Sequence, residues 1–152
     1  MMMEKIREYL QLSEDVDDGG EAPRVEGLVR GRSFYEDFSL RGIRVNRVVP
    51  GFISCTFKNR DGELVNGAIA NLVDEVGGAV VHEEGLPMNV SVDMSIAFLS
   101  KAKLGEELEI TSRVMGERGG YKGTIVVVRN QKTGEIIAEG RHSLFGRQAS
   151  KL

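Results

Sequence analysis

The spacing of hydrophobic positions changes along the chain and divides it into elements. Between Asn66 and His82, Ile69, Leu72, Val73, Val76 and Val80 recur at i, i+3, i+4, i+7 and i+11, one stripe of an α-helix. At about 1.5 Å per residue such a helix is roughly 25 Å long, enough to cross a small domain. On either side the period falls to two. Ile43–Val49 and Gly51–Phe57 read as strands joined at the turn pair Pro50-Gly51. After Pro87, Val90, Val92, Met94, Ile96 and Phe98 are expected on one face, with Ser91, Asp93, Ser95 and Ala97 on the other. Further strands follow over 108–114, 121–129 and 136–145, separated by Gly116–Gly120 and by the turn N-Q-K-T-G-E. The pattern predicts an α+β layer pair, a long helix wrapped by a six-stranded antiparallel meander.

Ahead of this core, residues 3–12 place Ile6, Tyr9 and Leu10 on one side of a short amphipathic helix. An acidic, glycine-rich stretch over 13–23 reads as an exposed linker. Ser33 with Glu36 three residues later is a capping box and predicts a second short helix, Ser33–Leu40. The expected division is 1–40, a main domain over 41–147, and a tail over 148–152.

Composition narrows the function classes. The 152 residues suffice for one well-packed domain. A net charge of −3 with no basic block argues against nucleic acid as a partner. The single cysteine, Cys55, cannot form an internal disulfide. It shares a strand face with Ile53 and Phe57 and reads as a small core residue. No apolar run reaches membrane-spanning length. The C-terminal Ser150-Lys151-Leu152 matches the receptor-read peroxisomal address, so import by that receptor is expected, with the cytoplasm as the alternative.

The helix carries one chemically interesting group. Asp74 has Ala70 and Gly67 before it and Gly77 and Gly78 after it, so its stacked neighbours are all small. Glycine inside a helix costs about 1 kcal/mol relative to alanine, and aspartate is also a poor mid-helix residue. The pattern suits close approach by a second helix, a backbone or a substrate. Other chemistries lack their parts. G-x-S-x-G is absent; the glycines over 116–123 fit neither phosphate-loop pattern and lie between strands. His82 and His142 with one cysteine are too few for a zinc site, so no metal is expected. His82 reads as a last-turn residue favoured by the helix dipole. What remains is a carboxylate for general-base or nucleophilic work and the unpaired amides of Asn66 and Gly67, which could stabilise an oxyanion.

Three segments carry a resemblance: V-N-G-A-I-A-N-L-V-D-E-V-G-G-A, N-V-S-V-D-M-S-I-A-F-L-S-K-A-K-L-G-E and A-E-G-R-H. They resemble the hot-dog-fold acyl-CoA thioesterases, nearest the branch of thioesterase superfamily members and phenylacetyl-CoA thioesterases. The likeness covers about residues 41–146. It implies a hot-dog domain, a homotetramer built from two dimers, and hydrolysis of acyl-CoA to acid and CoA. It also implies active sites between subunits, one supplying the asparagine and helix N-terminus and the other the aspartate and serine.

Carried over by position, Asp74 matches the family's catalytic acid, and the Asn66 amide its oxyanion donor. Asn59 matches a residue that places water or thioester, Ser91 the serine across the site, and His142 the histidine of the G-R-H end. Val65-Asn66-Gly67 departs from the family's H-G-G, which leaves the amides but removes a histidine side chain. For CoA, which enters as substrate with no separate cofactor, the resemblance points to Phe98, Leu99, Ser100, Lys101 and Lys103. It also points to Arg118, Tyr121 and Lys122 at the 116–121 hairpin. By charge alone these lysines and this arginine read as solvated turn residues. Two other activities fit the fold: enoyl/3-hydroxyacyl-CoA hydration, which needs an Asp–His pair, and non-catalytic acyl-CoA binding. On helical spacing only His82 is near Asp74, which counts against the hydratase.

Overall fold

A computed structural model describes residues 2–11, 42–59 and 63–147. The linker over 13–23, the helix expected at Ser33–Leu40 and the tripeptide Ser150-Lys151-Leu152 lie outside the described residues. The elements run α1 (Met2–Leu10), β1 (Ile43–Val49), β2 (Phe52–Lys58), α2 (Asn66–Ala79), β3 (Val90–Phe98), β4 (Glu107–Arg118), β5 (Tyr121–Asn130) and β6 (Ile136–Phe145).

All six strands form one antiparallel sheet in the order β1-β2-β4-β5-β6-β3. This is the expected helix-and-sheet architecture, but the strands do not meander. The chain leaves β2, runs along α2 over one face of the sheet, and lays β3 on the far edge beside β6. β4 then returns to pair with β2.

α2 buries Ile69, Leu72, Val73 and Val76, the stripe read from the sequence, against β3, β4, β5 and β6. Opposite them lie Ile53, Cys55, Leu108, Ile110, Val126, Val128, Ala138 and Leu144, the inward positions of alternating strands. The helix sits low because of Gly140: a Cβ there would lie 2.4 Å from Val73 Cγ1. α2 ends at Ala79, three residues before His82. The chain tightens there, with Val81 N–H donating to the Gly78 carbonyl and His82 N–H to that of Ala79. His82 therefore stands beyond the helix. α1 docks on β1 and α2 through Ile6 and Leu10, and Tyr9 donates its hydroxyl to Glu75, the neighbour of Asp74.

β3 is the exposed edge. Each of its residues except Ile96 is exposed, and Val90, Val92, Met94 and Phe98 place large apolar side chains there.

Candidate active site

Three side chains from three elements meet where β3, β6 and α2 converge. Ser91 Oγ donates to Asp74 Oδ1 at 3.0 Å. His142 Nε2 is 2.8 Å from the same serine oxygen and 3.3 Å from Asp74 Oδ1.

Each member has a local reason to be there. His142 pairs with Thr124 on β5 and Met94 on β3, on the inward side of β6. Simple alternation puts Ser91 on the face opposite Met94, but a bulge between Ser91 and Asp93 breaks it. Ser91 opposes the buried Leu144 and Met94 opposes the buried His142, so both belong to the helix side. An extra residue in one strand re-aims the side chains that precede it. Of the small residues around Asp74 on the helix, Gly77 is the one that the cluster uses. A Cβ on Gly77 would lie 2.9 Å from His142 Nδ1, so this glycine is where the imidazole approaches the helix. Gly78 only touches Leu144, and the space at Gly67 is open.

The electrostatics divide the cluster into a dry and a wet side. The His142 side chain is fully buried, whereas that of Asp74 is 45% exposed. Burial pushes the His142 imidazole below its ordinary value of 6.5, and the Asp74 carboxylate opposes that shift. His142 is therefore neutral at pH 7. The Asp–His pair that helical spacing counted against is present, because the histidine comes from β6 and not from the helix.

The other predicted site residues lie elsewhere. Asn66 and Gly67 are exposed in the first turn of α2. Val65 provides no side-chain cap, and the Val65 carbonyl takes the N–H groups of Ala68 and Ile69. No partner within the described residues takes the Asn66 or Gly67 N–H. Asn59 is 2% exposed and outside the cluster; its side-chain amide donates to the Ala102 carbonyl at 3.4 Å.

Phe98 and Leu99 are exposed where β3 ends. Ser100 donates to Glu135 at 2.6 Å, and Lys101 pairs with Glu63 at 3.0 Å. Lys103 and Arg118 are exposed, and Tyr121 packs edge-on against Phe145. Lys122 departs from the expected solvent-facing cation. It lies on the inward face of β5 with Thr124 and Val126, is 4% exposed, and bonds Glu83 and the Val81 carbonyl. An open groove of about 240 Å³ runs over the hairpin between Arg118, Tyr121 and Ser143.

A helix laid over a six-stranded antiparallel sheet in this way has counterparts among known proteins. The thioesterase superfamily model matches residues 61–130. Human acyl-coenzyme A thioesterase 13 is 35% identical over 127 residues, covering 78% of this chain and 89% of the relative. This chain belongs to the thioesterase superfamily.

Solved structures agree. Zebrafish thioesterase superfamily member 2 is 32% identical with a TM-score of 0.67, covering 72% of this chain and 84% of that one. Its mouse counterpart reaches a TM-score of 0.73 at 26% identity, covering 95% of this chain and 97% of that one. The hot-dog architecture and the assignment to a family of thioester hydrolases therefore stand together.

Proposed function

We propose that this thioesterase superfamily member hydrolyses acyl-CoA, with Asp74 as the group that activates water. The observation that carries this reading is the Asp74 carboxylate, half exposed and fixed by the 3.0 Å bond from Ser91. In the reaction Asp74 removes a proton as the water oxygen bonds to the thioester carbonyl carbon. The carbonyl electrons move to oxygen and return as the C–S bond breaks, and the departing thiolate of CoA takes the proton. Direct attack by the carboxylate is the other route. It gives a mixed anhydride, and when water opens this at the aspartyl carbonyl, single turnover in ¹⁸O-water leaves label in Asp74.

The amides of Asn66 and Gly67 suit the developing oxyanion. Along the α2 axis, Asn66 and Asp74 are roughly 12 Å apart. A carbonyl oxygen needs its donors at about 3 Å, so amides and carboxylate of one chain cannot serve one thioester. We therefore assign each site to two subunits, one giving the helix N-terminus and the other Asp74, Ser91 and His142. The exposed apolar edge of β3 supports pairing with a second copy. A dimer of such dimers is the assembly proposed. For CoA phosphates, Lys103 and Arg118 are the better candidates, since Lys101 and Lys122 already face carboxylates.

The decisive assay is thiol release from a panel of acyl-CoAs by the parent protein and by Asp74→Asn. Release by the parent and a loss of roughly 10²- to 10⁴-fold in the variant are expected. Undiminished turnover in Asp74→Asn would remove it from the mechanism. Tight acyl-CoA binding without release would instead identify a binding protein.

The 3.3 Å approach of His142 to Asp74 favours one other reading, hydration of an enoyl-CoA. Loss of crotonyl-CoA absorbance with no thiol released would select it.

A further inference from the structure

The second ring nitrogen of His142 has no role in the scheme above. Among the described residues Nδ1 is buried without a hydrogen-bond partner. It faces the α2 backbone at Gly77, where an added Cβ would lie 2.9 Å from it and 3.2 Å from both Thr124 Oγ1 and Val126 Cγ2. The Thr124 hydroxyl is turned to the backbone carbonyl of His142, 3.3 Å away.

Counting hydrogens decides the tautomer. An ionised Asp74 can only accept, and Ser91 has one hydrogen. If Nε2 were bare, that hydrogen would be claimed by both Nε2 and Asp74. Nδ1 would then carry an N–H pressed against Gly77 with no acceptor, and orphaned buried N–H groups are rare. If Nε2 carries the hydrogen, the bonds run in one direction. His142 Nε2–H donates to Ser91 Oγ at 2.8 Å, and Ser91 Oγ–H donates to Asp74 Oδ1 at 3.0 Å. Only a lone pair is left against the glycine.

We propose that Gly77 forms a seat that locks His142 as a hydrogen-bond donor, a positioning residue that orients Ser91 and through it Asp74 and never accepts the reaction's proton. Burial reinforces this by disfavouring the imidazolium, and Asp74 is the charged group that faces the ring. The site then holds a single base. The catalytic consequence rests on the thioesterase reading, while the tautomer does not.

The chain has two histidines, His82 and His142, so ¹⁵N-histidine NMR of the full protein is simple to assign with a His82→Gln variant. A bare Nδ1 and a protonated Nε2 are expected for His142 near neutral pH. An Nδ1–H tautomer or an imidazolium would overturn the proposal. Gly77→Ala should move both His142 nitrogen resonances; an unmoved pair would dispose of the seat.

Kinetics add a second arm. His142→Gln keeps an N–H near the Nε2 position and should hold turnover within roughly threefold of the parent with the same pH profile. His142→Leu should lose roughly 10- to 100-fold through misplacement. A glutamine variant as poor as the leucine one, with the acid limb of the profile gone, would make His142 a base after all. If the protein releases no thiol from any acyl-CoA, the assigned activity fails while the NMR result still decides the tautomer.

Discussion

Gly140 and Val73 meet so closely that a methyl group on the glycine would lie 2.4 Å from the valine Cγ1. The contact sets how deeply α2 settles onto β6. Gly140→Ala must displace a β-branched side chain fully enclosed by the core. Overpacking of this kind costs about 1–3 kcal/mol. Urea or thermal unfolding should show a lowered midpoint with the cooperative transition kept. An unchanged midpoint would mean that the helix can lift off the sheet freely.

Residue 66 offers a test of the shared site. Asn66 is the first residue of α2, where proline is tolerated because its missing N–H is unpaired anyway. Val65 before it has φ −71° and ψ 152°, which a following proline permits. Asn66→Pro should fold normally yet lose roughly 10²- to 10³-fold in turnover, the cost of one oxyanion donor. Refolding it together with Asp74→Asn should restore activity to about a quarter of the parent, since half the dimers are mixed and each has one intact site. A mixture as inactive as its components would confine each site to one chain.

The neutral, buried His142 ties stability to pH. Its pKa is lowered on folding, so below about 6.5 the unfolded chain binds the proton first. Stability is at its full value above that pH and falls as pH drops through the window between the unfolded and folded values. Denaturant midpoints measured across this range should show the decline. His142→Gln should flatten it relative to the parent, and equal slopes in the two proteins would assign the effect to other groups.

α1 is part of the core and not an appendage. Leu10 is 0% exposed and Ile6 3%. Leu10→Ala should cost about 2–5 kcal/mol, as for other enclosed leucines. A calorimetric scan indistinguishable from the parent would show that α1 leaves the surface at no cost.

Cys55 makes a simpler chemical case. Burial pushes its thiol up to about 12, so almost no thiolate exists at neutral pH. Labelling by a thiol reagent should follow the rate of unfolding. Fast labelling of the native protein would contradict the packing.

Much of the fold was legible because its signals are local. The stripe from Ile69 to Val76 and the alternation in β1, β4, β5 and β6 each follow from one element's own period. The end of α2 was misplaced by three residues because the apolar stripe continues through Val80 into a tightened turn. Strand order was hidden, since nothing local says that β3 pairs with β6.

The site was half visible. Asp74 stood out by its small neighbours, and Ser91 and His142 came from resemblance. That His142 touches Asp74 depends on cross-strand register, and that Ser91 faces the helix depends on one bulge. The inward turn of Lys122 was written in its alternation with Thr124 and Val126, yet its charge suggested solvent.

Asp74, Ser91 and His142 arrive from a helix, an edge strand and an interior strand, with long loops of chain between them. In the sheet β3 pairs with β6 alone, so Ser91 and His142 meet across that one edge pairing. The appearance of activity during refolding should therefore wait for both this edge pairing and the subunit contact proposed for the site.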